Sequence, residues 1–194
     1  MDILPLDRQP KLMFLPHIVS ADERGQLQTI AEDYLATGVL QPNPAGPKRY
    51  RVKMYGTEHC TPFITSLAER IKTRLGLNEY EVDEHLGWVI SLIQPGGVLH
   101  THIDDFSHYD RNSVRHLRCN IMVARENDSY DPFVENMIMK IPECCMWAFF
   151  ASESVHGTQL VTGSTDRIVY QFGFAVPSDY VLSDINNQGQ AWYG

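Results

Sequence analysis

From Glu81 to Val176 the chain runs through one strand-like segment after another, with no helical period between them. Trp88 to Ile93 (WVISLI), Arg118 to Val123 (RCNIMV), Met137 to Ile141 (MIMKI), Met146 to Phe150 (MWAFF) and Ile168 to Val176 (IVYQFGFAV) are rich in β-branched and aromatic residues. Turn formers separate them: Asn127 and Asp128, Asp131 and Pro132, Pro142, and Gly163 to Asp166. Parallel strands need crossovers that are usually helices, and no helical pattern intervenes here. The pattern therefore predicts an antiparallel sandwich or jelly roll.

Both helical patterns come earlier. Ser20 and Glu23 fit a capping box, and Leu27, Ile30, Ala31, Tyr34 and Leu35 follow as one apolar stripe. Thr61 and Pro62 suit the start of a second helix with Ile64, Leu67, Ala68, Ile71 and Leu75 as its stripe and Gly76 as its stop. Lys11 to Val19 reads as a short strand broken at Pro16, where the missing amide suits a sheet edge. Gln41 to Pro47 (QPNPAGP) is loop, and Lys48 to Lys53 (KRYRVK) alternates with a basic bias. That run reads as a solvated edge strand, or as a basic lip beside a cleft that meets an acidic substrate. The fold class expected is mainly β with flanking helices packed on one sheet. No repeat or linker divides residues 1–194, so one domain is expected, with helical support over about 1–80, a β-core over about 85–177 and a tail from 178 to 194.

Chemistry concentrates in Gln94 to Phe106 (QPGGVLHTHIDDF). If residues 98–104 are extended, the period of two puts His100, His102 and Asp104 on one face and turns Ile103 into the packing layer. Imidazole beside carboxylate suits a borderline divalent ion such as Fe(II), and two histidines with one carboxylate leave coordination positions open. The third ligand must come from elsewhere, and His156 in ASESVHGTQLV is the candidate, followed by Arg167 at the head of the last strand.

The order HxD, distant His, then Arg about a dozen residues on, preceded by two helices, resembles the Fe(II)- and 2-oxoglutarate-dependent oxygenases. QPGGVLHTHIDDF is similar to the metal-binding strand of the prolyl-hydroxylase type. VRHLRCNIMV and FFASESVHGTQLVTGSTDRIVYQF resemble the aspartyl/asparaginyl β-hydroxylase type, which differs in tending to RxHL at Arg118 and Asn120 and to lack a metal carboxylate. The resemblance implies a double-stranded β-helix (jelly roll, cupin-like) core, with His102, Asp104 and His156 as iron ligands and Arg167 pairing with the distal carboxylate of 2-oxoglutarate. It implies Fe(II), 2-oxoglutarate and O₂ as cofactor and cosubstrates. The reaction implied is hydroxylation of an unactivated C–H bond with release of succinate and CO₂. The substrate would be a small molecule, such as an amino acid or natural-product intermediate, or a residue within a peptide. Asp104 argues against halogenation, since family halogenases carry a small residue there.

Several residues have two readings. Arg118 and Asn120 share a strand face, pointing toward a cosubstrate carboxylate or a polar substrate, or else forming a cross-strand pair. Tyr170 lines the pocket or is buried with a hydrogen-bonded hydroxyl. His100 is a pocket wall or substrate contact; alternatively His100, His102 and His156 form the metal site of a cupin-like binding protein. His108, Tyr109, Arg111 and Arg115 lie in a polar stretch placed as a binding lip, or as solvated loop. Trp147, Phe149 and Phe150 read as core, and Trp192 and Tyr193 in the tail as a cover for the site or a partner contact.

The formal charge of −8 and the lack of a basic stripe disfavour nucleic acid held by bulk electrostatics, while leaving room for a local basic pocket. Cys60, Cys119, Cys144 and Cys145 lack zinc-type spacing and read as free thiols of a reducing cytoplasm. No secretory signal and no apolar run of about eighteen residues occurs, so neither export nor a membrane span is expected. Oligomeric state leaves no mark on the sequence.

Overall fold

The computed structural model describes residues 12–85, 87–110, 112–126 and 132–182. In chain order the elements are β1 (Leu12–Leu15), α1 (Ala21–Ala36), β2 (Gln41–Pro42), β3 (Arg49–Lys53), α2 (Pro62–Leu75) and β4 (Trp88–Ile93), then β5 (Val114–Ala124), β6 (Pro132–Val134), β7 (Met137–Ile138), β8 (Met146–Phe150), β9 (His156–Thr158) and β10 (Arg167–Pro177). Seven of the strands form one antiparallel sheet in the order β1-β8-β5-β10-β4-β3-β2, and β7-β6-β9 form a second. A single bridge between His102 and His156 adds the segment around His102 to the edge of the small sheet. No described helix is long and apolar enough to cross a membrane.

Alternation along the strands divides the large sheet into two unlike faces. On β10, Ile168, Tyr170, Phe172, Phe174 and Val176 belong to the core beneath the helices, whereas Arg167, Val169 and Gln171 line a cavity on the other side. β5 obeys the same parity, with Leu117, Cys119 and Ile121 toward the helices and Arg118 and Asn120 toward the cavity. The helices bury the expected stripes. Leu27 and Ala31 of α1, and Ile64, Leu67, Ala68 and Ile71 of α2, are fully covered, each large aliphatic contributing roughly 2 kcal/mol of transfer free energy. Both caps form as the sequence predicts: Ser20 and Glu23 satisfy each other's amides, and the Thr61 hydroxyl accepts from the Ile64 amide. The second face of the large sheet packs on the small one through Met122, Val134, Met139, Trp147 and Phe149.

Local pattern misplaces three segments. Residues 98–104 are not a regular strand, and Ile103, expected in the packing layer, is half exposed, with no further layer over that edge among the described residues. The 49–53 strand is not a solvated edge: β2 pairs along its outer side, and Arg49 is buried. Of Met137 to Ile141 only Met137–Ile138 is regular strand, although Met139 and Ile141 remain in the core. Arg111 and the tail residues Trp192 and Tyr193 lie outside the described residues.

Candidate active site

The cavity between the sheets has a volume of about 200 Å³ and collects side chains from both. At one end, His102 Nε2 stands 3.3 Å from Asp104 Oδ1, and His156 Nε2 stands 3.8 Å from the same oxygen. The three donor atoms lie within 4.8 Å of one another. Each imidazole is oriented by its own backbone, since Nδ1 of His102 is 2.8 Å from the His100 carbonyl and Nδ1 of His156 is 2.9 Å from that of Ser154. A carbonyl only accepts, so Nδ1 of each ring donates to it, which leaves Nε2, on the Asp104 side, as the nitrogen available to a metal.

The position of His156 depends on a close approach. A β carbon on Gly157 would sit 3.0 Å from both the Leu99 carbonyl and the Phe133 ring, so only glycine lets β9 lie this near the His102 segment. The loop read as QPNPAGP closes the other side of that segment. Gly46 lies so tightly against the Val98 carbonyl that a β carbon would be 1.7 Å away, and Asn43 and Ala45 line the cavity.

Asp104 divides its two oxygens. Oδ1 faces the imidazoles, and Oδ2 accepts from Arg118 Nη2 at 2.7 Å. Burial opposes ionisation of this carboxyl, but Arg118 and then the histidines outweigh it and hold it well below the usual carboxylate range. Arg118 is steadied in turn: its Nε donates to His116 Nε2 at 3.2 Å, and His116 Nδ1 lies 2.5 Å from Asp83 Oδ2, both residues being wholly buried. Burial lowers the His116 pKa, in keeping with a neutral ring that accepts on one side and donates on the other. His156 is pushed down by burial to about 4, so at neutral pH its lone pair is free.

Away from the histidines the cavity is basic. Arg49, Arg51 and Arg167 line it together with Arg118, against the single carboxylate of Asp104 among the described lining residues. Arg49 hydrogen-bonds Asn43 Oδ1 and reaches Ser91 Oγ at 3.4 Å. The Arg167 guanidinium stands 5.9 Å over the Trp147 ring. Asn120 accepts from Gln171 at 2.9 Å across the sheet.

No protein-family model matches the chain, and no curated protein sequence matches it. Solved structures do. A prolyl-4-hydroxylase from Pseudomonas putida is 17% identical with a TM-score of 0.62, over 87% of this chain and 94% of that one. HygX from Streptomyces hygroscopicus, solved with nickel and 2-oxoglutarate bound, is 11% identical with a TM-score of 0.64 over 97% and 92%. The viral collagen prolyl hydroxylase of Paramecium Bursaria Chlorella virus-1, in its 2-oxoglutarate complex, is 15% identical with a TM-score of 0.60 over 86% and 97%. The fold is that of the prolyl hydroxylases and 2-oxoglutarate/Fe(II) oxygenases.

Within this oxygenase fold, the residues singled out from the sequence divide into two sets. His102, Asp104, His156, Arg118, Asn120 and Arg167 share the cavity. Arg118, read as facing a cosubstrate carboxylate or a polar substrate or as one of a cross-strand pair, lines the cavity and engages Asp104 and His116. His100 is exposed outside the His102, Asp104 and His156 cluster and contributes its carbonyl to orienting His102, which removes the geometric basis for a three-histidine site. Tyr170 does not line the pocket; its hydroxyl donates to the Leu27 carbonyl at 2.7 Å on the helix side. Arg115 forms a forked pair with Glu153 and donates to the Tyr180 carbonyl, and exposed His108 stacks on His85 at 3.8 Å between ring centroids. Trp147 and Phe149, read only as core, are also cavity wall. Nothing in the sequence singles out Asp83 and His116, while the basic run holding Arg49 and Arg51 fits a solvated edge as well as a cleft. The signal for the arginines was present, because Arg49 and Arg51 alternate with apolar Tyr50 and Val52.

Proposed function

We propose that this protein is an Fe(II)- and 2-oxoglutarate-dependent dioxygenase that hydroxylates an unactivated C–H bond of a small molecule or a peptide residue, releasing succinate and CO₂. The observation that carries the reading is the convergence of His102 Nε2, His156 Nε2 and Asp104 Oδ1 in an arginine-lined cavity. The donor set fits the metal: two imidazoles whose Nδ1 bonds leave Nε2 to bind, and one carboxylate with an oxygen turned toward them, are what Fe(II) takes while keeping other positions open. His102, Asp104 and His156 would hold it. The sheet orders, with the His102 segment joined to β9, support a jelly roll of the double-stranded β-helix type within a single domain.

When bound, the iron supplies the oxidising power of O₂, coupled to decarboxylation of the 2-oxo acid. The chain's own residues bind and orient. Arg167 receives the distal carboxylate of 2-oxoglutarate through its forked donors, with Trp147 packed against the guanidinium. Arg118 holds Asp104 ionised and turns one oxygen toward the imidazoles. Phe133, Trp147 and Phe149 give the cavity an apolar wall that limits water at the reacting end. Among proteins of this fold, one prolyl hydroxylase is solved with a peptide fragment of hypoxia inducible factor and HygX with hygromycin B, so both substrate classes are open to this cavity.

The test is anaerobic titration of the protein with Fe(II) and 2-oxoglutarate. A weak visible charge-transfer band should develop, vanish in Asp104→Ala and His156→Ala, and require far more 2-oxoglutarate in Arg167→Ala while iron affinity holds. Survival of the band in both ligand variants overturns the assignment.

A further inference from the structure

We infer that the substrate of this cavity carries a carboxylate of its own, and that Arg51, with Arg49 beside it, is the fork that receives it. The inference rests on the oxygenase reading, and it starts from a charge imbalance. Four guanidiniums line the cavity, against one carboxylate among the described lining residues, in a chain whose net charge is −8. Asp104 is already engaged by Arg118, and Arg167 is assigned to the distal carboxylate of the cosubstrate, whose other carboxylate belongs at the metal. Arg49 and Arg51 are left without a counter-ion. Arg49 has neutral partners in Asn43 and Ser91. Arg51 is half buried, and its side chain makes no hydrogen bond or ion pair among the described residues. Burial and neighbouring guanidiniums lower the pKa of both arginines, that of Arg49 to about 10, and Asp104, already engaged by Arg118, offsets this only in part. An unpaired cation in such a place destabilises the fold, and an anionic ligand removes that cost on binding.

Register places the pair beside the reaction path. Arg49 and Arg167 both oppose Ile93 from the two sides of β4, while Arg51 opposes Ser91, whose partner across β4 is Val169. Arg51 is thus one pleat, about 7 Å, from the Arg167 row. The displacement is toward the end of β10 where Gly173 pairs with Arg118, the residue that holds Asp104. A carboxylate seated there would lie alongside the cosubstrate, with the rest of the molecule directed toward the histidines. Two planar forks in adjacent alternate positions suit a carboxylate, which guanidinium binds through paired hydrogen bonds. The volume of about 200 Å³ admits the end of a small acid beside 2-oxoglutarate.

Calorimetry on the full chain loaded with Ni(II) and 2-oxoglutarate tests this, using a panel of N-acetyl amino acids and the matching N-acetyl amino-acid amides. Each pair shares a skeleton and differs by one charge. At least one acid should bind about tenfold or more tightly than its amide. Arg51→Gln should erase that difference, with Arg51→Lys keeping part of it and 2-oxoglutarate affinity changing less than about twofold in both. Equal binding of acids and amides across the panel, including no binding by either, overturns the inference. So does an Arg51→Gln loss as large for 2-oxoglutarate as for the acid, which would assign Arg51 to the cosubstrate. Absence of any metal-dependent 2-oxoglutarate binding would instead defeat the oxygenase reading; the acid-against-amide comparison, repeated in the metal-free protein, still decides the role of Arg51.

Discussion

Replacing Asp83 by Ala should destabilise the protein and loosen its metal site together. Asp83 Oδ2 is the acceptor facing His116 Nδ1, and both side chains are fully excluded from solvent. In the variant the His116 N–H loses its acceptor in the core, a loss that costs about 1–3 kcal/mol for a buried donor. Asp83 Oδ1 also accepts from the His85 amide at 3.0 Å, and that bond goes too. Together the loss should be about 3 kcal/mol, a large part of the 5–15 kcal/mol that holds a typical domain folded. The freed His116 ring no longer fixes Arg118 Nε, so the Arg118 grip on Asp104 loosens, and Mn(II) affinity should fall by about tenfold, as for other residues behind a ligand. Urea unfolding at neutral pH measures the first effect and Mn(II) titration by electron paramagnetic resonance the second. Asp83→Asn, which can offer its one oxygen to Nδ1 but no second acceptor to the His85 amide, should recover most of the Mn(II) affinity and only part of the stability. A stability loss under about 0.5 kcal/mol, or an unchanged Mn(II) affinity in a destabilised Ala variant, would refute the chain of support from Asp83 to Asp104.

In metal-free protein, unfolding free energy should fall as pH drops below about 6.5, because His116 and His156 have folded pKa values depressed by burial while the unfolded chain takes up protons there; the loss down to pH 4.5 should be on the order of 2 kcal/mol, measured by urea unfolding across that range. Asp104 and Glu23, whose folded pKa values are lowered, act in a more acidic window: their contribution is present above about pH 4.5 and is lost only as pH falls toward their folded values. Tyr170→Phe should cost about 1 kcal/mol of stability through the lost bond to the Leu27 carbonyl, with 2-oxoglutarate affinity unchanged; a change in that affinity would contradict its placement on the helix side. Gly157→Ala should force β9 from the His102 segment and weaken Mn(II) binding, and a crystal structure showing an unshifted His156 in that variant would contradict the close-approach argument.

What the sequence discloses and what it hides follow from the range of the interactions involved. The strand parity of β10 and the stripes of α1 and α2 are local properties, so their faces can be read from residue spacing alone. The same parity argues against Tyr170 as a pocket residue: it lies three positions from Arg167, and an odd separation on a strand means opposite faces. His102, Asp104, His156 and Arg167 stand out because their residue types and order are unusual together. Arg49 and Arg51 are harder, since their burial depends on β2 folding over from the proline-rich loop, a pairing that no local pattern encodes. Asp83 and His116 are hidden for another reason. They pair with one another across the fold and His116 with Arg118, contacts between distant residues that no local spacing marks. Ile103 went the wrong way because alternation says which side a residue faces but not whether anything covers that side.

The two imidazoles are clamped by carbonyls just two residues earlier in their own segments, His100 for His102 and Ser154 for His156. Their rotational freedom is surrendered when the chain folds, not when an ion arrives. Loading then requires the ion to shed water but demands little rearrangement of its host. A host preset in this way adds little ordering of its own, so affinities would follow the ordinary rise Mn(II) < Fe(II) < Co(II) < Ni(II), and the identity of the resident metal would rest on cellular supply.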